Sequence, residues 1–210
     1  MEDLVKNPSD GLVYKQFTTI PFSGSVLPTS EDPLRGSFKD GRRHGLWETF
    51  HQNGLLLSKG NFKDGERDGP WEYYNQSGVL EKTVNYKKSV LVTYHENGLL
   101  KTAGNFKDGK KDGFWEEFYD HGQIAFKGNY RDGKQDGFWE KFHVNGQLWS
   151  KGNYRDGKHV AFWEMYHING QLMSKHRYNK DGNRDGTWEF FNFDGSSRLI
   201  LNYKDGKLIE

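Results

Sequence analysis

The chain has 210 residues with a net charge of +1, 26 glycines and no cysteine. That balance argues against duplex nucleic acid as a main partner. The missing thiols exclude disulfides, thiolate metal sites and cysteine nucleophiles. Hydrophobic residues make up only 33% of the chain while aromatics reach 16%, so rings rather than aliphatic side chains must carry the burial.

Taken in order, Met1 to Asp10 has no basic region followed by an apolar run. It reads as a flexible tail without a signal peptide, and a cytoplasmic address is expected. From Gly11 to His44 a shortened repeat is expected, with a lead-in strand in LVYKQF, Val26 in a position later held by Trp, and an irregular loop at Ser30 to Pro33. Beyond it tryptophans recur at Trp47, Trp71, Trp115, Trp139, Trp163 and Trp188, and Leu91 stands in the one wide gap, giving steps of 24, 20, 24, 24, 24 and 25 residues. A fixed period of this size is the signature of a repeat architecture, here with units starting near 45, 69, 89, 113, 137, 161 and 186.

Each unit carries two turn dipeptides. An Asn-Gly such as Asn53-Gly54 predicts a two-residue type I′ hairpin. Counting outward from it sets Trp47 opposite Gly60, Gly45 opposite Phe62 and Glu48 opposite Lys59. The same count sets Trp115 opposite Gly128 and Trp139 opposite Gly152. A glycine beside each indole lets the ring lie across the neighbouring strand. The rule weakens at Trp163, opposite His176, and Trp188, opposite Leu201, which marks a modified C-terminal cap. At the second connection, Lys63 to Asp68, a four-residue loop would set Gly60 beside Trp71 and Phe62 beside Gly69. Glycine-rich turns every 10 to 14 residues and a period of two leave no room for helix. The fold class is all-β, an elongated, twisted antiparallel meander of about 14 to 16 strands. Between Val84 and Val92 the connection is short, and a bend or the poorest strand pairing is expected there.

The pattern G-x-W-x-x-[FY]-x-x-x-G-x-[LI]-x-x-x-G-x-[FY]-x-x-G, carried by Gly45, Trp47, Phe50, Gly54, Leu56, Gly60 and Phe62 and again by Gly137, Trp139, Phe142, Gly146, Leu148, Gly152 and Tyr154, resembles the MORN repeat. The resemblance is to the bacterial variant often labelled a YwqK-family antitoxin, and it covers about residues 11 to 210. It departs at Leu91, Ala161 and His176. It implies a scaffold or interaction module, and the antitoxin label implies neutralisation of a partner, in that special case a toxin.

Three constellations invite a sharper chemistry. The ladder Glu48, Glu72, Glu116, Glu140, Glu164 and Glu189 suggests paired carboxylates, but equivalent residues lie two strands, about 9 to 10 Å, apart with identical surroundings. Lysines opposite them predict exposed ion pairs instead. His51, His95, His143 and His167 share one turn-edge position, too widely spaced for one ion held at about 2 Å. They are expected to be solvated. The Lys/Arg-Asp-Gly loops suggest phosphate cradles, yet sum to only +4 along that edge, because each turn pairs an Asp with its cation.

The expected function is therefore that of a non-enzymatic scaffold for protein partners, without catalytic, metal or cofactor residues. Trp149, with Phe118, Phe126 and Phe142, is the candidate partner patch, because Trp149 is the one tryptophan outside the repeat position. The alternative, implied by the resemblance, is peripheral membrane or phosphoinositide binding. The C-terminal strand Arg198 to Tyr203, with its run Leu199, Ile200 and Leu201, is the expected sticky edge of a weak homodimer.

Overall fold

A computed structural model of the chain describes residues 4–30 and 32–209. Every regular element among them is a strand, and the repeats group into two compact units, residues 1–98 and 99–210.

The first unit holds β1 (Leu4–Lys6) and β2 (Val13–Lys15), paired as a small sheet of their own, and then a seven-stranded meander. Its strands are β3 (Gly24–Val26), β4 (Leu34–Lys39), β5 (Arg42–Phe50), β6 (Leu56–Lys63), β7 (Glu66–Tyr74), β8 (Leu80–Asn85) and β9 (Val90–Tyr94). The second unit is a meander of β10 (Leu100–Lys107), β11 (Lys110–Phe118), β12 (Ile124–Arg131), β13 (Lys134–Phe142), β14 (Leu148–Arg155), β15 (Lys158–Tyr166), β16 (Leu172–Tyr178), β17 (Gly186–Phe191), β18 (Ser197–Lys204) and β19 (Lys207–Ile209). All pairings within each are antiparallel.

Strands β1 and β19 are the two that the sequence does not announce. The supposed tail contains β1, because Lys6 to Leu4 finds an edge on Val13 to Lys15; residues 1–3 lie outside the described residues. At the other end Asp205-Gly206 folds Lys207 to Ile209 back onto Asn202, Tyr203 and Lys204, so the strand expected to be a bare edge is covered along its last three of eight residues. Part of the expected loop at Ser30 to Pro33 falls on Glu31, outside the described residues. Its neighbours are tied by the Asp32 backbone N–H, which donates to Thr29 Oγ1 at 3.0 Å.

The two turn types exchange roles relative to the sequence reading. In six Asp-Gly turns, those at Asp40, Asp64, Asp108, Asp132, Asp156 and Asp205, both residues have positive φ, as in Asp132 (+51°) and Gly133 (+83°), so these are the type I′ hairpins. At the Asn-Gly turns only the glycine is left-handed, and His51 pairs with Leu55 around a three-residue loop. The register nevertheless comes out as counted, Trp47 opposite Gly60 and Trp139 opposite Gly152. A bulge just beyond the loop, between Thr49 and Phe50 or between Lys141 and Phe142, absorbs the extra residue.

A second bulge lies on the other side of each Trp. Gly128 pairs with Trp139 but Asn129 pairs with Asp136, so Gly137 and Phe138 face no partner on β12. The Lys63 to Asp68 connection behaves likewise: Gly60 does pair with Trp71, but through a two-residue turn plus this bulge, and Phe62 pairs with Arg67 rather than Gly69. Gly137 takes φ +77° to make the bulge, and Ala161 is forced to φ +58° at the same repeat position.

Each indole leans on the preceding strand, not the following one. A Cβ on Gly128 would lie 2.3 Å from the Trp139 ring, and one on Gly152 would lie 2.3 Å from Trp163. The bulge leaves a carbonyl on that strand for the indole. Trp139 Nε1 donates to the Asn129 carbonyl at 3.0 Å, and Trp47, Trp71, Trp115, Trp163 and Trp188 make the same bond. Buried Phe62, Tyr154 and their equivalents fill the gaps edge-on. The least paired neighbours are not β8 and β9, which keep four pairs, but β16 and β17, with two pairs and an isolated bridge at Tyr178 and Arg184. The connection there is one residue longer, which explains the 25-residue step.

Candidate interaction surfaces

The face bearing the tryptophans is closed to partners where the array is regular. Trp47, Trp71, Trp115 and Trp139 are at most 2% exposed. Cationic stems roof several of the rings: Arg43 sits 4.6 Å from Trp47, Arg67 4.7 Å from Trp71, Lys111 4.3 Å from Trp115 and Arg184 4.6 Å from Trp188. His159 takes this place above Trp163, with its ring 4.1 Å away and Nε2 3.0 Å from the Tyr154 hydroxyl. Burial, aided by Lys141, holds its pKa below the ordinary value.

The four residues expected to form an aromatic patch are split between the two faces. Phe126 packs against Trp139, 5.6 Å between ring centroids, as part of the tryptophan-side cluster. Trp149 is the extra residue of the β13–β14 bulge, which turns it to the side of Lys141, whose Nζ is 5.9 Å from its ring, and of His143, 6.1 Å away. Phe142, one residue beyond Lys141, faces the other way beneath Lys127 Nζ at 5.6 Å. Phe118 has the same repeat position as Phe142. Strict alternation from the Asn145-Gly146 turn would pair Trp149 with Phe142 on the face opposite Trp139, and the bulge overturns this, since Phe142 pairs with Leu148; Phe126 shares its side with Gly128 two residues on.

The face opposite the tryptophans carries a stripe that the sequence reading did not single out. Phe114, Phe138 and Phe162 are 47%, 50% and 66% exposed in three successive repeats of the second unit, spaced by two strands or about 9 to 10 Å. They are the bulge residues after the left-handed Gly or Ala, and the bulge aims them outward. The signal was legible: the residue before the Trp is Phe in three consecutive copies, against Leu46 and Pro70 in the first unit. Beside the stripe runs a row of ion pairs, Lys127–Glu140 at 2.8 Å and Lys151–Glu164 at 2.9 Å. Tyr166 reinforces this row by donating to Glu164 at 2.6 Å, and that bond, more than Lys151, lowers the carboxylate pKa. As with the indoles, each Glu bonds the lysine of the preceding strand.

The turn-edge histidines are not solvated bystanders. His51 Nε2 lies 2.9 Å from the Tyr74 carbonyl and His143 Nε2 2.9 Å from the Tyr166 carbonyl. Asn53 and Asn145 donate to the same following turns. They lace one hairpin to the next. At the opposite edge the turn amides are already used, Gly133 N–H donating to the Lys111 carbonyl and Gly157 N–H to that of Gln135, so those loops offer no nest of free donors to a phosphate. Among the described residues no cluster of His, Asp and Glu is arranged around a metal.

These features define a protein of antiparallel hairpin repeats whose tryptophans face the preceding glycine. The profile of the MORN repeat variant matches residues 43–64, 67–88, 111–132 and 135–156. These four stretches are MORN repeats, and such repeats generally mediate protein or membrane interactions. No curated protein matches it. Among solved structures it is similar to TarM, with 17% identity and a TM-score of 0.18 over 53% of this chain and 18% of that one. It is also similar to a chain of TcdB2-TccC3-Cdc42, with 10% identity and a TM-score of 0.21 over 83% of this chain and 12% of that one. It thus spans less than a fifth of either chain.

Proposed function

We propose that this protein is a non-enzymatic scaffold, acting in the cytoplasm, that binds a protein partner through the exposed phenylalanine stripe of its second unit. The observation that carries this reading is the stripe itself. Three large rings, 47% to 66% exposed in consecutive repeats, are the kind of apolar patch that marks a contact surface. The lysines and glutamates beside it already neutralise one another, and Arg177, 5.5 Å from the Phe162 ring, is the cation that a partner would meet there. An antitoxin-like role, in which the partner is a toxin neutralised by being held, is the special case suggested by the family resemblance. The test is cross-linking in the native host with wild type, a Phe138→Ser/Phe162→Ser double variant and Trp149→Ala. A partner lost only from the double variant, at unchanged melting temperature, supports the stripe; a partner retained by it and lost from Trp149→Ala moves the site to the tryptophan side.

Membrane binding has one observation in its favour. Phe17, 97% exposed, and Ile20, 77% exposed, project from the segment after β2 close to Lys15, an arrangement that can enter a lipid interface. Pelleting with anionic vesicles at physiological salt, lost in Phe17→Ser, would favour this reading over the first.

A further inference from the structure

The position that roofs each tryptophan holds arginine three times. In two of them the guanidinium also finds a hydroxyl: Arg67 donates to Tyr86, and Arg184 donates to the Tyr203 hydroxyl at 3.0 Å. Arg43 lies in the same way over its two rings, 4.6 Å from Trp47 and 5.3 Å from Phe62. Its second ring, however, is a phenylalanine with no hydroxyl to accept. The guanidinium carries five N–H donors, and among the described residues Arg43 has no side-chain hydrogen bond or ion pair.

Arg43 lines a cavity of about 750 Å³ inside the first unit, between the small N-terminal sheet and the start of the meander. That size is in the range of small-molecule sites. Phe38, Trp47 and Phe62 supply aromatic walls, and Val26 and Leu34 aliphatic ones. Lys6 and Arg42 join Arg43 in the lining, where Asp32 is the one carboxylate among the described residues, and neither has an ion pair among those residues. The cavity has a rigid lip. Val13 N–H donates to the Gly41 carbonyl at 2.9 Å, Gly41 N–H to Phe22 at 2.8 Å and Phe22 N–H back to Val13 at 2.8 Å, a closed ring of bonds clipping β2 to the β4–β5 turn.

We propose that this cavity binds a small anionic amphiphile, an apolar chain or ring system bearing one carboxylate, sulfonate or phosphate. The acid group takes the free edge of Arg43, helped by Arg42 and Lys6, and the apolar body lies along Val26, Leu34 and Phe38. The ligand is a freely dissolved molecule, because the exposed Arg43 guanidinium lies over the buried rings of Trp47 and Phe62, 4.6 and 5.3 Å away, at the wall of a cavity lined by further apolar side chains. This site is separate from the phenylalanine stripe, and neither proposal stands or falls with the other.

The test is calorimetric titration of the full chain with laurate below its micellar concentration, with dodecyltrimethylammonium as the cation of equal chain length. Laurate is expected to bind one per chain and the cation not at all. Arg43→Gln should weaken laurate roughly tenfold or more, as loss of a charged hydrogen bond does. Phe62→Tyr provides the sharper control, since it supplies the hydroxyl that Arg67 and Arg184 already use, keeps every charge, and places a residue that other repeats accommodate there. It should weaken laurate as well, and it carries the test if Arg43→Gln melts early. Equal binding of laurate and the ammonium compound, affinity unchanged in both variants, or binding to anionic vesicles with none to dissolved laurate would each overturn the proposal.

Discussion

Trp163 and Trp188 occupy the same repeat position, one in a regular part of the second unit and the other near its end, and they solve the same packing problem differently. Trp163 lies against the bare backbone of Gly152. Trp188 meets His176 where a glycine would be, and the two rings stack at 3.9 Å with 17° between planes. Both indoles keep their bond to a bulge carbonyl. The difference shows that the invariant of this repeat is the indole N–H bond, while the glycine is one of two ways to give the ring a floor. The stacked version has a cost. His176 is 9% exposed with its Nε2 unpartnered among the described residues, and two residues away the buried Ser174 hydroxyl is likewise unpartnered.

The largest break in this comparison should come from Gly152→Val. The new side chain would strike the Trp163 ring and the bulge behind it. A loss of about 3 kcal/mol is expected from overpacking, read as a drop in melting temperature with a change in tryptophan emission. A loss under about 1 kcal/mol would mean that the ring can lift off its floor.

The histidine floor makes the C-terminal end sensitive to acid. Burial, reinforced by Arg184, lowers the His176 pKa to about 4. An imidazole in the unfolded chain takes a proton near pH 6.5. The folded state therefore binds fewer protons between these values, and its stability is full above pH 6.5 and is lost as the pH falls toward 4. His159, shifted the same way by burial, adds to the slope. About 2 to 3 kcal/mol should be lost over that window. His176→Phe, which keeps an aromatic floor without a titrating group, should flatten most of the pH dependence of the melting temperature. An unchanged slope would assign the effect to other groups.

Smaller effects sharpen the role of the bulge. Gly137→Ala should cost about 1 kcal/mol because the alanine must adopt a left-handed backbone. Ala161→Gly, at the equivalent position, should gain about 0.5 kcal/mol, the relieved strain being partly offset by a freer unfolded chain. Denaturant melts showing the same sign for both would remove the strain argument. An equally small change, a loss of about 0.5 kcal/mol, is expected from Lys151→Ala, which breaks a partly exposed ion pair, with a midpoint shift near the limit of measurement.

The sequence alone determined the antiparallel hairpin order, the pairing of Trp139 with both neighbouring glycines and the two faces, because a 24-residue period, alternation and glycine spacing are local and repeated seven times. It read the register correctly through compensating errors, since a longer Asn-Gly loop and the bulge after it cancel. Tertiary structure decided what lies in bulges: the lean of each indole onto the preceding strand, the outward turn of Phe114, Phe138 and Phe162, and the side on which Trp149 emerges. A bulge adds one residue to one strand only, so it shows in the pairing of two strands and not in the residues of either. The same holds for β1 and β19, whose short sequences carry little signal of their own and become strands because an edge is there to pair with.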